Sequence, residues 1–319
     1  MKNSGVFLAY GFAIINALIV GFSFLFTKTA VMASSPLDTL AHRFTIAFVV
    51  IVILIAFKLV KVDLDIRRFK KLIPLTLFYP ALFFSFQAFG LKYSQSSDAG
   101  IIFAVIPILT TMLAAFFLNE TTTSLQKLSI FASVFGVIFI FVMKGSSVDL
   151  KSIFGISLLL LSCLSIAGYS VMARSLTKQF TPQEITFFML GVGFLFFNGA
   201  ALFTHLQSGN ITAFISPWSD FQYVMAILFL GVLASLVTSL LSNFILSKIK
   251  ASQMSVFSNL STVVSIGAGA VFLDERISSY DIIGSLFIVL GVVGTNYFAE
   301  KRELSSAKLS FWKEKKNVM

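Results

Sequence analysis

The chain has 319 residues, of which 57% are hydrophobic and 12% charged, with a mean hydropathy of +0.93. A soluble domain carries about 25% charged residues, so this composition cannot coat a water-facing surface. The net charge of +10 has no soluble domain on which to meet nucleic acid, and serves membrane topology instead.

Apolar runs follow one another at residues 6–26, 40–57, 72–91, 98–118, 125–143, 154–174, 183–204, 221–241, 251–272 and 281–298. A helix needs about 20 mostly apolar residues to cross a bilayer, so each run predicts a spanning helix. The first is too long for the apolar region of a signal peptide and reads as a retained helix. Short connections make consecutive helices antiparallel neighbours. Pro107 falls inside the fourth run, where it would leave the carbonyl near Phe103 without its partner. In the ninth run Gly267 and Gly269, with Ala268 and Ala270, offer a smooth surface for close helix contact. Cys163, the single cysteine, lies in an apolar run and reads as a buried thiol, and His42 and His205 are far apart and make no motif. No metal-ligand cluster or cofactor motif is present.

With the N-terminus inside, eighteen of the 24 Lys and Arg residues fall in cytoplasmic segments. This positive-inside bias predicts a multi-pass protein of the plasma membrane with both termini cytoplasmic. Residues 300–319 form a basic cytoplasmic tail.

The chain also repeats itself. A shift of 155 residues places Phe89 on Phe244, Leu91 on Leu246, Ser97 on Ser252, Phe117-Leu118-Asn119-Glu120 on Phe272-Leu273-Asp274-Glu275, and Gly136-Val137 on Gly291-Val292. Nearer the start a shift of 146 pairs Lys28 with Arg174, Pro36 with Pro182 and Asp38 with Glu184; the longer loop at 205–220 absorbs the difference. The predicted architecture is all-α and integral to the membrane: ten helices as two five-helix repeats, residues 1–147 and 148–299, around a central cavity. Five is odd, so the second repeat enters the bilayer inverted, the plan on which alternating access rests.

Gly21-Phe22-Ser23-Phe24-Leu25-Phe26-Thr27-Lys28, then Pro36 and Arg43-Phe44, resembles the first two helices of the drug/metabolite transporter superfamily, EamA type. So do Ala88-Phe89-Gly90-Leu91-Lys92-Tyr93-Ser94, Pro107 and Phe117-Leu118-Asn119-Glu120, and the second half ends alike in Phe272-Leu273-Asp274-Glu275-Arg276. Val20 departs from the pattern, where the family often has Trp. The resemblance covers the chain to about Phe298 and implies a metabolite transporter. Members export amino acids and other metabolites, and relatives move sugars, nucleotide sugars or phosphorylated compounds.

Polar side chains within spanning helices face a cavity or another helix. The candidate substrate contacts are Asn16, Ser23, Tyr79, Gln87, Thr110, Tyr169, Ser239, Asn259 and Thr262, with Ser165 and Ser235 of the same kind. Such groups also bond helix to helix. Every carboxylate sits at a helix end, in a loop or in the tail, which favours facilitated diffusion or exchange over proton drive; His42 is the only candidate for a proton path. Arg43, near the outer end of its helix, reads as snorkelling to the interface rather than attracting a carboxylate. Lys28 and Glu275 at the outer face and Arg174 and Glu120 at the inner face form two repeat-related pairs, either gate latches or interfacial anchors.

The expected function is secondary transport of small organic metabolites, with export of amino acids or related solutes foremost. A facilitator or exchanger of sugars, amines or drugs, or a channel for a small neutral solute, is the alternative. A lipid-modifying enzyme has poor support, since Asp274-Glu275 is the only adjacent acidic pair and has no His near it. The expected partners are a small-molecule substrate and the bilayer, with no nucleic acid, and the chain a monomer or weak homodimer.

Overall fold

The computed structural model describes residues 2–63, 66–93, 102–103, 105–143, 153–272 and 278–317, most of them helical and none of them in a strand. In chain order the helices are α1 (Lys2–Ala33), α2 (Pro36–Ala56), α3 (the helical run 66–93), α4 (Ile106–Leu118), α5 (Ser124–Met143), α6 (Ile153–Leu176), α7 (Pro182–Ser208), α8 (Phe221–Lys248), α9 (Ala251–Phe272) and α10 (Ser279–Asn317). Among the described residues six helical stretches, in α1, α2, α6, α7, α8 and α10, are long and apolar enough to cross a membrane, while α4 and α5 hold shorter apolar stretches. Phe7, Phe116, Phe203 and Phe221 are each more than 60% exposed, an outward face suited to lipid rather than water.

Local chemistry sets the helix starts. Ser35 caps α2 by accepting from the Asp38 N–H, and Thr181 caps α7 by accepting from the Glu184 N–H. Thr123 and Gln126 bond reciprocally at the head of α5, and Ser278 bonds Asp281 at the head of α10. Each device satisfies N–H groups that an isolated helix leaves bare. Pro107 stands in the first turn of α4, not in its interior, because the helix begins anew at Ile106 after a turn at Val105. There its missing N–H costs nothing. α10 continues to Asn317, beyond the apolar run.

The packing pairs α1 with α9 and α8, α6 with α4 and α3, α2 with α7 and α8, α7 with α3, and α5 with α10. Buried alanines at 9, 13, 17 and 30 keep one face of α1 thin. Gly21 lets α1 approach α9 so closely that an added Cβ would stand 2.8 Å from the Ser261 carbonyl oxygen. Of the smooth surface expected at Gly267, Ala268, Gly269 and Ala270, Gly267 is open, with nothing within 4 Å of an added Cβ, Ala268 is buried, and the side-chain positions of Gly269 and Ala270 lie outside the described residues.

Candidate functional site

Two helices lose their regular bonding midway. Residues 77–82 of α3 and 229–237 of α8 form wide π-helical turns, and in α3 the backbone at Tyr79 is extended (φ −147°, ψ 120°), with a cis bond to Pro80. A shift of 155 carries Tyr79 onto Ala234, so the two irregular segments occupy repeat-related positions. A π turn displaces the helical bonding pattern and is used mostly at functional places.

The side chain that uses this irregularity is Arg43. It lies seven residues into α2, about 10 Å from the helix start, and is only 8% exposed. Nε donates to Ser235 Oγ at 2.6 Å, Nη2 donates to the Ala234 carbonyl at 2.7 Å, and the guanidinium lies 4.8 Å over the Phe84 ring. The snorkelling expected of this residue is therefore overturned. The acceptors that draw it inward belong to α8, almost two hundred residues away in the chain.

From Arg43 a buried polar ribbon links α2, α3, α6, α8 and α7. The Tyr79 phenol stands near Arg43 and near Ser239, whose Oγ is buried with no hydrogen-bond partner among the described residues, and its ring stacks on Tyr169 at 4.8 Å. The Tyr169 hydroxyl donates to Asn243 Oδ1 at 2.9 Å, and Asn243 Nδ2 donates to Thr186 Oγ1 at 3.0 Å. Three of the candidate contacts, Tyr79, Tyr169 and Ser239, thus come together. Asn243 and Thr186 were missed, although an amide and a hydroxyl within apolar helices are the signal that would have found them.

Among the described residues the other candidates share no hydrogen bond with this ribbon. Asn259 on α9 donates to Ser133 Oγ of α5 at 3.1 Å, a helix-to-helix bond. Ser23 donates back to the Val20 carbonyl of its own helix. Thr110 Oγ1 and Asn16 Oδ1 are buried without a hydrogen-bond partner, and Gln87 and Thr262 are half-buried on α3 and α9.

At one end, Asn119 closes α4 in the left-handed conformation (φ 52°), and the Glu120 N–H bonds the Ala114 carbonyl. Asparagine tolerates that backbone, and the turn delivers Glu120 to the head of α9. Its carboxylate accepts from the Ala251 N–H at 3.2 Å and from the Ser252 hydroxyl at 3.0 Å. Arg174 Nε stands 4.0 Å from the same carboxylate while Nη1 donates to the Leu246 carbonyl of α8. Glu120 and Arg174 are therefore adjacent, joining α4, α6, α8 and α9. Their repeat partners cannot be placed: Glu275 lies outside the described residues, and so does the side chain of Lys28.

A second cluster gathers both histidines, which the sequence kept apart. His205 Nε2 meets Asp38 Oδ1 at 2.8 Å, and Nδ1 meets the Asn210 carbonyl at 2.9 Å. Trp218 Nε1 donates to His42 Nε2 at 3.2 Å, so the neutral His42 ring carries its proton on Nδ1 and donates it to the Tyr223 hydroxyl 2.6 Å away. Phe214 packs on both imidazoles. Asp38 is 4% exposed, and leaving a buried acceptor without its partner costs about 1–3 kcal/mol. His205→Ala is accordingly expected to lower the folding free energy by about 1–3 kcal/mol. Adding Asp38→Asn should restore most of the loss, because no buried charge is then left alone. Thermal unfolding of the single and double variants in detergent measures it.

Among the described residues no three His, Cys, Asp or Glu side chains gather as metal ligands would. Residues 7–142 and 153–297 each match the EamA-like transporter family. An uncharacterized transporter, YcxC, of Bacillus subtilis is 48% identical over 294 residues, covering 92% of this chain and 94% of its own. An uncharacterized transporter of Archaeoglobus fulgidus is 28% identical, covering 85% and 92%. A crystal structure superposes with a TM-score of 0.76 at 17% identity, covering 92% of this chain and 98% of that one, a likeness of fold alone.

Proposed function

The chain belongs to the EamA-like transporter family, and from that premise we propose a secondary transporter that moves small organic metabolites, amino acids or related solutes foremost, outward across the plasma membrane by alternating access. The observation that carries the reading is the pair of interrupted helices, α3 and α8, with the Arg43–Thr186 ribbon held against them. Discontinuous helices near the bilayer centre are where transporters with internal repeats bind their substrates.

The same proposal includes ten spans in two inverted halves with both termini cytoplasmic. Its support is the pattern of neighbours. Exchange each helix for the one five places away, and α1 on α9 becomes α6 on α4, α1 on α8 becomes α6 on α3, and α2 on α8 becomes α7 on α3, all of which are packed pairs. Glu120 with Arg174 latches the inner end, and Lys28 with Glu275 is its outer counterpart. The substrate and the bilayer are the partners, and the unit is a monomer or weak homodimer.

Counterflow in proteoliposomes tests this. Vesicles preloaded with an unlabelled amino acid, sugar or amine are expected to accumulate the labelled form transiently, with saturation, for one chemical class. Linear uptake without counterflow would make the protein a channel and sink the carrier reading.

A further inference from the structure

We infer that Arg43 is the substrate-binding cation, and that the protein takes solutes bearing a single carboxylate; this rests on the transporter reading and names the substrate class of its ribbon. Four observations carry it. Arg43 is buried to 8% exposure, yet among the described residues no carboxylate pairs with it. Arginine stays charged in proteins, and an ionised group inside a membrane protein without a counter-ion is costly to keep. An anionic ligand is the natural complement.

Second, only part of the guanidinium is in use. Nε and Nη2 bond Ser235 and Ala234, while Nη1 donates to nothing among the described residues. The two bonds and the Phe84 face fix the plane of the fork, leaving N–H groups for a carboxylate, whose geometry matches them.

Third, the fold does not require the charge. The shift of 146 that pairs Pro36 with Pro182 and Asp38 with Glu184 sets Met189 opposite Arg43. Met189 is 1% exposed in an apolar cluster with Tyr169 and Ile185. The same position in the second half is thus filled by an apolar side chain, and the cation is an addition to one half.

Fourth, the surroundings limit the ligand. Among the described residues Arg43 is the only cation bonded into the ribbon, so one negative charge balances it and a phosphate dianion is left half unmatched. The stacked rings of Tyr79 and Tyr169, with Phe84, suit a flat or apolar body beside the anionic head. Amines and sugars lack the group that the site is built to hold.

The test uses three probes with one body and three heads: 3-phenylpropionate, 3-phenylpropionamide and 3-phenylpropylamine. Thermal shift of the detergent-purified protein reads binding, since a ligand of the folded state raises apparent stability. Only the acid is expected to stabilise the wild-type chain. Arg43→Met, which copies the residue of the other half, should fold and weaken the acid by roughly 10- to 100-fold, the loss of charged hydrogen bonds. Arg43→Lys should retain part of the affinity. Size-exclusion profiles check that the variants are folded, and acid binding to an independently stabilised Arg43→Gln chain serves if Arg43→Met fails.

The proposal falls if all three probes stabilise alike, if the arginine-free variant keeps the acid's affinity, or if none of the three acts on a chain that shows counterflow with another solute. That last outcome leaves transport standing. An acid-specific shift in a chain with no counterflow for any solute does the reverse: it keeps the site and removes the transporter reading.

Discussion

Gly136→Leu is expected to yield little monodisperse protein, whereas Gly267→Leu should be nearly silent. Helices α5 and α10 touch through backbone. A Cβ built on Gly136 would lie 2.5 Å from the Gly284 carbonyl oxygen and 2.9 Å from the Ile288 nitrogen, and one on Gly291 would lie 2.5 Å from the Ser129 carbonyl oxygen. Neither neighbour is a side chain that can turn aside, so the helices must separate. Overpacking of this kind costs about 3 kcal/mol or more. The loss also extends along the seam, because the Asn259–Ser133 bond ties α9 to the same face of α5. At Gly267 the added atom meets nothing within 4 Å. Fluorescence-detected size exclusion after heating separates the two cases. Equal profiles for both variants would mean that the α5–α10 contact is looser than its geometry.

Glu120→Gln is expected to open the end of the protein where it meets Arg174, without unfolding it. The carboxylate does two things at once: it caps α9 through the Ala251 and Ser252 N–H groups and stands 4.0 Å from Arg174. An amide keeps one acceptor for the cap but loses the charge, so most of the cap survives and the attraction to Arg174 does not. Glu120→Ala removes both and should cost a further ~1 kcal/mol, the usual worth of a cap. Arg174→Gln removes the pair and the bond to the Leu246 carbonyl but leaves the cap, and should reproduce the opening seen with Glu120→Gln. The energy at stake is small, about 1 kcal/mol for a partly exposed pair, but a two-state equilibrium near balance moves several-fold on that amount. The sole cysteine, Cys163, is buried, which leaves a quiet background for thiol labelling. A reporter at Ser255→Cys, one turn from the cap, should label faster in both charge variants. Unchanged labelling in both would reduce the pair to an anchor.

The sequence determined the membrane class and the order of the apolar helices, because these depend on neighbours within a turn or two; the starts were set by local caps that the apolar runs did not mark. Apolar runs need only their own residues to declare a bilayer, and Ser35 with Asp38 or Thr181 with Glu184 cap a helix across three positions. The repeat set Glu120 and Arg174 at one face as a possible pair or as separate anchors, and the structure stands them 4.0 Å apart. What only the tertiary structure decided are contacts whose energy is spread over distant segments. Arg43 looked interfacial from its place in α2, and its depth became visible only when the irregular turn of α8 offered the Ala234 carbonyl and the Ser235 hydroxyl. His42 and His205 meet through Phe214 because α7 and the following loop fold back over the head of α2. Gly136 became a contact residue and Gly267 an open one for the same reason. A glycine states what it lacks, and the helix that comes to lie against it decides whether that matters.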